Sequence, residues 1–311
     1  MKKCRMCEGT EFKKVIDFGR TPLVNSLIEK EDLDKKESVF PLRVIQCQNC
    51  FLVQTKDPID ANKIYRNQDY LYYSSDMPKL ADYFQDYVSD LKERMGQDRD
   101  LAIEIGSNDG LMLAMLKDKF DVLGVDPSTN VVVRALKRGV PTLSDFFSHR
   151  LAGSILKEFG KAGLIYGNNC IAHLNDLQDL MWGVRILLDG NGVFVVECNY
   201  WGGMVENKNY SLIYHDHFSY FTAQTWVNFA KKFGLEVFDA IVTPAQGGSL
   251  RIFMDRGKRP VMDRCNSLLQ KEVDTKLNSY ETCKKYEYEV NEEAKKLGSL
   301  ITSLKEEGKT I

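Results

Sequence analysis

Apolar and polar positions divide the chain into three stretches. From Leu101 onward, short apolar runs alternate with segments of helical periodicity. LAIEIG, VLGVD, GLIYGN, GVFVVEC and LEVFDAIV are rich in strand-forming residues and bounded by Gly, Asp or Asn. Between them the spacing of apolar residues predicts helices at about 110–118, 128–138, 148–159, 175–188 and 222–233. Such alternation specifies an α/β fold, with a parallel sheet wound by helices on both faces. A last run, SLRIFM, follows a loop containing Pro and Gly, so it is expected to form an antiparallel edge pair with LEVFDAIV.

The first sixty residues read as a separate small module. Two Cys-x-x-Cys pairs, Cys4/Cys7 and Cys47/Cys50, flank the strand-like runs EFKKVIDFG and FPLRVIQC. A tyrosine-rich stretch from Tyr65 to Tyr73 follows, and then an amphipathic helix at about 77–95. At the other end, Leu268, Leu269, Val273, Leu277, Tyr280, Cys283, Val290, Ala294, Leu297, Leu300, Ile301 and Leu304 recur at steps of three and four. That pattern predicts one long helix or two, charged on the outer face. Gly308 suits a helix C-terminus, and Lys309-Thr310-Ile311 resembles the onset of a strand. The expected division is 1–60, 61–260 and 261–311, the last a helical connector leading into a missing domain.

Composition narrows the class of partner. The 311 residues carry a formal charge of −2, which argues against a nucleic-acid surface or a polybasic membrane patch. Charged residues make up 28% and hydrophobic ones 43%, as in ordinary soluble proteins. No apolar run is long enough to span a bilayer, and the N-terminal MKKCRMCEGTEF lacks the apolar stretch of a secretion signal. A monomeric cytoplasmic protein is therefore expected, with reduced cysteines rather than a disulfide framework.

Four groups of residues carry candidate chemistry. Cys4, Cys7, Cys47 and Cys50 have the number and pairing of a structural zinc site, which four thiolates close to further ligands. An iron–sulfur cluster and metal-free thiols are the lesser alternatives. The second group is LAIEIGSNDGLML, where an apolar strand ending in Glu104 turns through Gly106, Ser107, Asn108 and Gly110 into a helix. Glycines let the backbone approach a ligand, and the helix N-terminus offers amide donors. A dinucleotide-binding turn reads G-x-G-x-x-G; here Asn108 holds the third position. The acid-x-Gly-x-x-x-Gly form resembles class I (Rossmann-like) S-adenosylmethionine methyltransferases. Asp126 ends the next strand 20 residues after Gly106, where an acid accepts from ribose hydroxyls. Asp145 follows the third strand, where that superfamily contacts adenine.

The third group brackets the fourth and fifth strands: Asn168, Asn169 and His173, then Tyr214, His215, Asp216, His217 and Tyr220. Histidine exchanges protons near neutrality, and neighbouring Tyr or Asp can orient it. Proton transfer is the preferred reading. Zinc on His215 and His217 and a purely structural cluster are the alternatives. The fourth group, Gln246-Gly-Gly-Ser-Leu-Arg251, offers turn amides and a guanidinium suited to diphosphate, with a plain loop as the alternative.

In combination, the paired Cys-x-x-Cys module with TPLVNSL, then EIGSNDG, GNNCIAH, YHDHFSYF and GGSLR, resembles the sugar C-methyltransferases of deoxysugar biosynthesis. That resemblance covers residues 4–311. It implies a zinc-binding module, a methyltransferase domain using S-adenosylmethionine, and a C-terminal α/β domain that helps hold a nucleotide-linked 4-keto-6-deoxy sugar. It also implies methylation at the carbon next to the ketone. His217 matches the family's base within Tyr-x-acid-His, and Tyr214 and Asp216 match its companions, although Glu is commoner at the Asp216 position. His173 matches a second active-site histidine. Tyr72 and Tyr73 lie in the segment that folds over the sugar in relatives, and the resemblance does not choose between them. The competing readings are a non-catalytic scaffold that binds the cofactor, and methylation of oxygen or nitrogen on another small molecule.

Overall fold

The computed structural model describes residues 2–24, 26–66, 70–95 and 100–310. Asn25 of TPLVNSL and Ile311 of the expected terminal strand lie outside them.

The N-terminal module is built from β1 (Phe12–Thr21), β2 (Phe40–Cys47) and β3 (Val53–Thr55), followed by α1 (Ala61–Tyr65) and the amphipathic α2 (Pro78–Arg94). The central region continues with β4 (Leu101–Ile105), α3 (Leu111–Leu116), β5 (Asp121–Val125), α4 (Thr129–Lys137), β6 (Thr142–Leu143), α5 (His149–Phe159) and β7 (Ala162–Asn168). After these come α6 (Leu177–Leu187), β8 (Leu188–Asn199), α7 (Trp201–Glu206), β9 (Ser219–Tyr220), α8 (Ala223–Lys231), β10 (Glu236–Thr243) and β11 (Ser249–Asp255).

The large sheet runs β10-β11-β8-β7-β4-β5-β6. Strands β4 to β8 pair in parallel, while β11 is antiparallel to both β8 and β10. This is the expected class I fold, with the expected antiparallel pair at one end. Every residue of β11 is buried, so β11 lies inside the sheet and β10, with its exposed Glu236, takes the edge. Helices cover both faces, as the near-continuous apolar parallel strands require.

Two features cross the borders suggested by composition. The module's own sheet runs β1-β2-β3-β9, and β9 comes from the central region after β8, pairing Val53 with Tyr220 and Gln54 with Ser219. The buried Arg5 guanidinium adds to this seam. It donates to Thr55 O at 2.9 Å and to Asn175 Oδ1 at 3.0 Å, and lies over the Phe218 ring.

The C-terminal segment forms two helices, α9 (Asp263–Asp274) and α10 (Tyr280–Glu306), of which α9 and the start of α10 pack on the body. Glu272 accepts from Ala223 N and Gln224 N at the start of α8, and the Tyr280 hydroxyl donates to Lys14 O on β1. Cys283, Tyr286 and Val290 are buried; beyond Val290 no described residue is. Gly308, at φ +76°, ends α10 as expected, with Lys309 N donating to Leu304 O. No helix of the described residues is long and apolar enough to cross a membrane.

Candidate active site

Between the carboxyl ends of β4 and β7 the strand order reverses, and there the chain encloses a cavity of about 350 Å³. Open α/β sheets bind ligands at this switch point. The cavity has two walls of different construction.

One wall is the glycine turn. Gly106 sits at φ +69°, and a Cβ there would come within 2.5 Å of the Cys170 Cβ, so the site admits only glycine without rebuilding. Asn108, at φ +50°, donates its backbone N–H to Asp126 Oδ2 at 2.9 Å, and Ser128 N donates to Asp126 Oδ1 at 2.9 Å. Asp126 ends β5 facing the cavity. Burial pushes its carboxyl up to about 6, against the pull of these two amides. Phe146, Phe147, Val125 and Ile105 supply apolar surface, and Asn168 and Asn169 close the floor. Asn169 Oδ1 is buried without a partner.

The second wall is aromatic. Tyr65, Tyr70, Tyr72, His173, Tyr214 and His217 line it. Tyr65 bonds through its hydroxyl to His173 Nδ1 at 2.7 Å, and the His173 and His217 rings stand edge to face at 4.8 Å. His217 Nδ1 lies 2.7 Å from Leu212 O and 2.9 Å from the Asn199 side-chain amide. A carbonyl only accepts, so Nδ1 carries the proton and donates to Leu212. The Asn199 amide, whose Oδ1 otherwise has no partner, then fits better turned to present that oxygen. Nε2 therefore holds a lone pair, which accepts from the Tyr214 hydroxyl at 2.8 Å. Burial holds His217 well below its usual range and His173 down at about 4, so both are neutral near pH 7.

Several sequence-predicted residues stand elsewhere. Glu104 is fully buried and accepts from the Tyr166 hydroxyl at 3.1 Å, behind the turn rather than in the cavity. Ser107 and Gly110 shape the turn without lining the cavity: Ser107 N donates to Val125 O, and Gly110 begins α3 at φ +73°. Asp145 is turned away to pair with Arg66 at 2.7 Å and Arg150 at 3.1 Å, while its neighbours Phe146 and Phe147 line the cavity. Tyr73 lies under Arg134 and bonds Asn130, so of the two tyrosines Tyr72 alone faces the cavity. Asp216 is buried behind the aromatic wall, its carboxyl raised to about 6 by burial.

Arg251 departs furthest from its expected place. It is buried, donates to Glu197 Oε2 at 2.7 Å and to the Tyr83 hydroxyl at 2.9 Å, and stacks 3.2 Å over Tyr87. Glu197 directly opposes it across β8 and β11, and that register decides its partner. His215 donates its Nε2–H to Phe40 O at 3.2 Å, since a carbonyl only accepts. That bond ties His215 to the module rather than to a metal shared with His217. Sequence reasoning passed over Tyr65, Tyr70 and Asn199. The tyrosine-rich stretch and a polar residue ending an apolar strand were the available signals.

The four module thiols converge as expected. Their sulfurs all lie within 4.8 Å of one another, with Cys4 to Cys50 and Cys7 to Cys47 at 3.5 Å. Gly9 N and Asn49 N point at Cys7 and Cys47 sulfur, the donor arrangement that stabilises thiolates on zinc.

Residues 79–240, just over half of the chain, match the family described as methyltransferase domain. The chain belongs to that family. This methyltransferase also matches a zinc binding domain at residues 4–65 and the C-methyltransferase C-terminal domain at 244–311. The last match corrects the expectation that a C-terminal domain is missing, since residues 244–311 belong to one. The C-methyltransferase NovU of Streptomyces niveus is 34% identical over 253 residues, covering 81% of this chain and 60% of that relative. Solved structures similar to this chain include a S-adenosylmethionine-dependent methyltransferase from Clostridium acetobutylicum (13% identity, TM-score 0.45, 57% of this chain and 92% of that one). Another is magnesium protoporphyrin IX methyltransferase from Synechocystis with bound S-adenosylhomocysteine (15% identity, TM-score 0.45, 57% and 83%). The cofactor of the methyltransferase class is S-adenosylmethionine, and the glycine-turn wall fits it: an amide-held carboxylate for ribose and apolar rings beside it. Zinc fits the four thiols.

Proposed function

We propose that this chain carries out S-adenosylmethionine-dependent C-methylation of a nucleotide-linked 4-keto-6-deoxy sugar, as a monomeric cytoplasmic enzyme. The observation that carries the reading is the cavity itself, in which the glycine turn and the His217–Tyr214 pair face one enclosed space.

A carbon nucleophile must be made before it can be methylated, and that requirement explains the aromatic wall. The ketone acidifies the neighbouring C–H bond. His217, neutral and with its tautomer fixed by Leu212, takes that proton on Nε2 once the sugar displaces the Tyr214 hydroxyl from it. Tyr214, kept protonated by burial, then has its O–H free for the oxygen on which negative charge develops. His173, braced by Tyr65, stands beside it. Bound S-adenosylmethionine supplies an electrophilic methyl group on sulfonium. As the enolate carbon takes that methyl group, the S–CH3 bond would break with S-adenosylhomocysteine as the leaving group, and His217 would return its proton to solvent. The glycine-turn wall contributes alignment, which is most of what methyl transfer requires.

The test uses the full chain with S-adenosylmethionine and a nucleotide-linked 4-keto-6-deoxy sugar, followed by mass spectrometry for the gain of one methylene on a sugar carbon. His217→Ala should lower the rate by about 10³-fold while S-adenosylhomocysteine still binds. Turnover near that of the wild type, or a product methylated on oxygen or nitrogen, overturns the reading.

A further inference from the structure

The third position of the glycine turn is asparagine at φ +50°, a conformation in which glycine costs less. Asn108 therefore needs a reason beyond the turn, and its side chain supplies one. The Asn108 amide donates through Nδ2 to Tyr72 O at 2.9 Å, and its Oδ1 accepts from Ser74 N at 3.0 Å. It thus pairs with a carbonyl and an N–H two residues apart, as a neighbouring strand would. Next to it, Asp109, fully buried, accepts from Ser75 N at 3.2 Å and from the Ser75 hydroxyl. On α4, Asn130 repeats the device: its Oδ1 accepts from Tyr70 N at 3.3 Å and its Nδ2 donates to Tyr70 O at 2.9 Å. Backbone from Tyr70 to Ser75 is held in this way by side chains of the glycine turn and of α4, and the Tyr70 and Tyr72 side chains are turned into the cavity.

We propose that Asn108 is a positioning residue that fixes the sugar-facing tyrosines through the cofactor turn and so couples the two binding events. Its backbone N–H holds Asp126, on the ribose side, while its side chain holds Tyr72 and Ser74, on the substrate side. A ligand that orders the turn thereby lowers the cost of ordering the tyrosine segment, and the coupling is reciprocal. The identity of the sugar rests on the proposed function above; the latch rests on geometry alone.

Asn108→Gly tests it, because glycine keeps the backbone conformation and the N–H to Asp126 while deleting both side-chain bonds. Amide hydrogen exchange on the full chain, with and without S-adenosylhomocysteine, should show the Ser74 amide exchanging about tenfold faster. The Gly106 and Ser107 amides, which bond Val125 O, should keep their protection. Asn108→Asp retains an acceptor and should restore protection at Ser74. In wild type the cofactor product should slow exchange at Ser74, and in Asn108→Gly it should not. Unchanged exchange at Ser74, or loss spreading equally to Gly106 and Ser107, overturns the proposal. In turnover assays the sugar KM should rise about tenfold, against about twofold or less for the Kd of S-adenosylhomocysteine. Equal changes in the two also overturn it. Absence of sugar turnover in the wild type would defeat the proposed substrate and leave the exchange result to decide the latch.

Discussion

The two walls of the cavity are made by opposite strategies. The glycine-turn wall comes mainly from one stretch, Ile105 to Ser128, with Phe146, Phe147, Asn168 and Asn169 added, and acts through backbone amides, a missing Cβ and one carboxylate. The aromatic wall collects Tyr65, Tyr70, Tyr72, His173, Tyr214 and His217 from three separated segments and acts through side chains. A wall of backbone is fixed once the strand and helix form. A wall of side chains exists only while distant segments stay packed, so its precision depends on structure remote from the chemistry.

The most severe way to test that contrast is to remove the metal site. Strand β9 begins two residues after His217 and pairs with β3 of the module, so losing the module loosens the aromatic wall first. Cys47→Ser is expected to abolish stoichiometric zinc, to cost several kcal/mol of stability, and to eliminate methyl transfer. Calorimetry at a temperature where the central sheet remains folded should still register S-adenosylhomocysteine. Simultaneous loss of both ligands would erase the distinction between the walls.

A smaller effect separates framework from site. Arg251→Ala strands the buried Glu197 carboxylate without its cation, and should cost about 3 kcal/mol in denaturant unfolding. Because Arg251 lines neither wall, the sugar KM of the folded variant should stay within about twofold. A large rise in KM would return Arg251 to the diphosphate role that its sequence context suggested.

The mildest effect is on pH dependence. Burial pushes the Asp126 carboxyl up to about 6, and with its anionic form as the proposed acceptor for ribose, cofactor KM should rise as pH falls below 6. His217 is held well below the ordinary histidine range by burial, and since the proposed base acts as the neutral ring, its loss by protonation is shifted to more acid solution. With cofactor saturating, kcat should therefore stay level from pH 8 down to about 6. Steady-state kinetics across that range check both limbs, and a kcat that halves near 6.5 would place an unperturbed histidine in the rate-determining step.

The same contrast governs what could be read from the chain. The helices and strands of the central region, the turn at Gly106 and the acid at Asp126 follow from local periodicity and fixed spacing, and the folded protein puts them where that spacing requires. Asp145 has the spacing too, yet Arg66 and Arg150, from other elements, take its carboxylate. Arg251 sits beside a glycine turn that reads as an anion site, but the register of β11 against β8 sets Glu197 opposite it. Tyr72 and Tyr73 are adjacent in sequence and fall on opposite sides of one extended segment, and only the bonds from Asn108 and Asn130 select which one faces inward.

By itself the sequence determined what depends on neighbours along the chain: the alternation that makes a wound parallel sheet, four thiols in two close pairs, a glycine turn followed by an acid, and a Tyr-x-Asp-His cluster. Tertiary structure alone decided which nitrogen of His217 is free, which tyrosines enclose the cavity, and that β9 fastens the metal module to the segment bearing the histidine. Those outcomes depend on pairing between residues far apart in the chain, where a hydrogen bond or an ion pair goes to whichever partner the packing brings within reach.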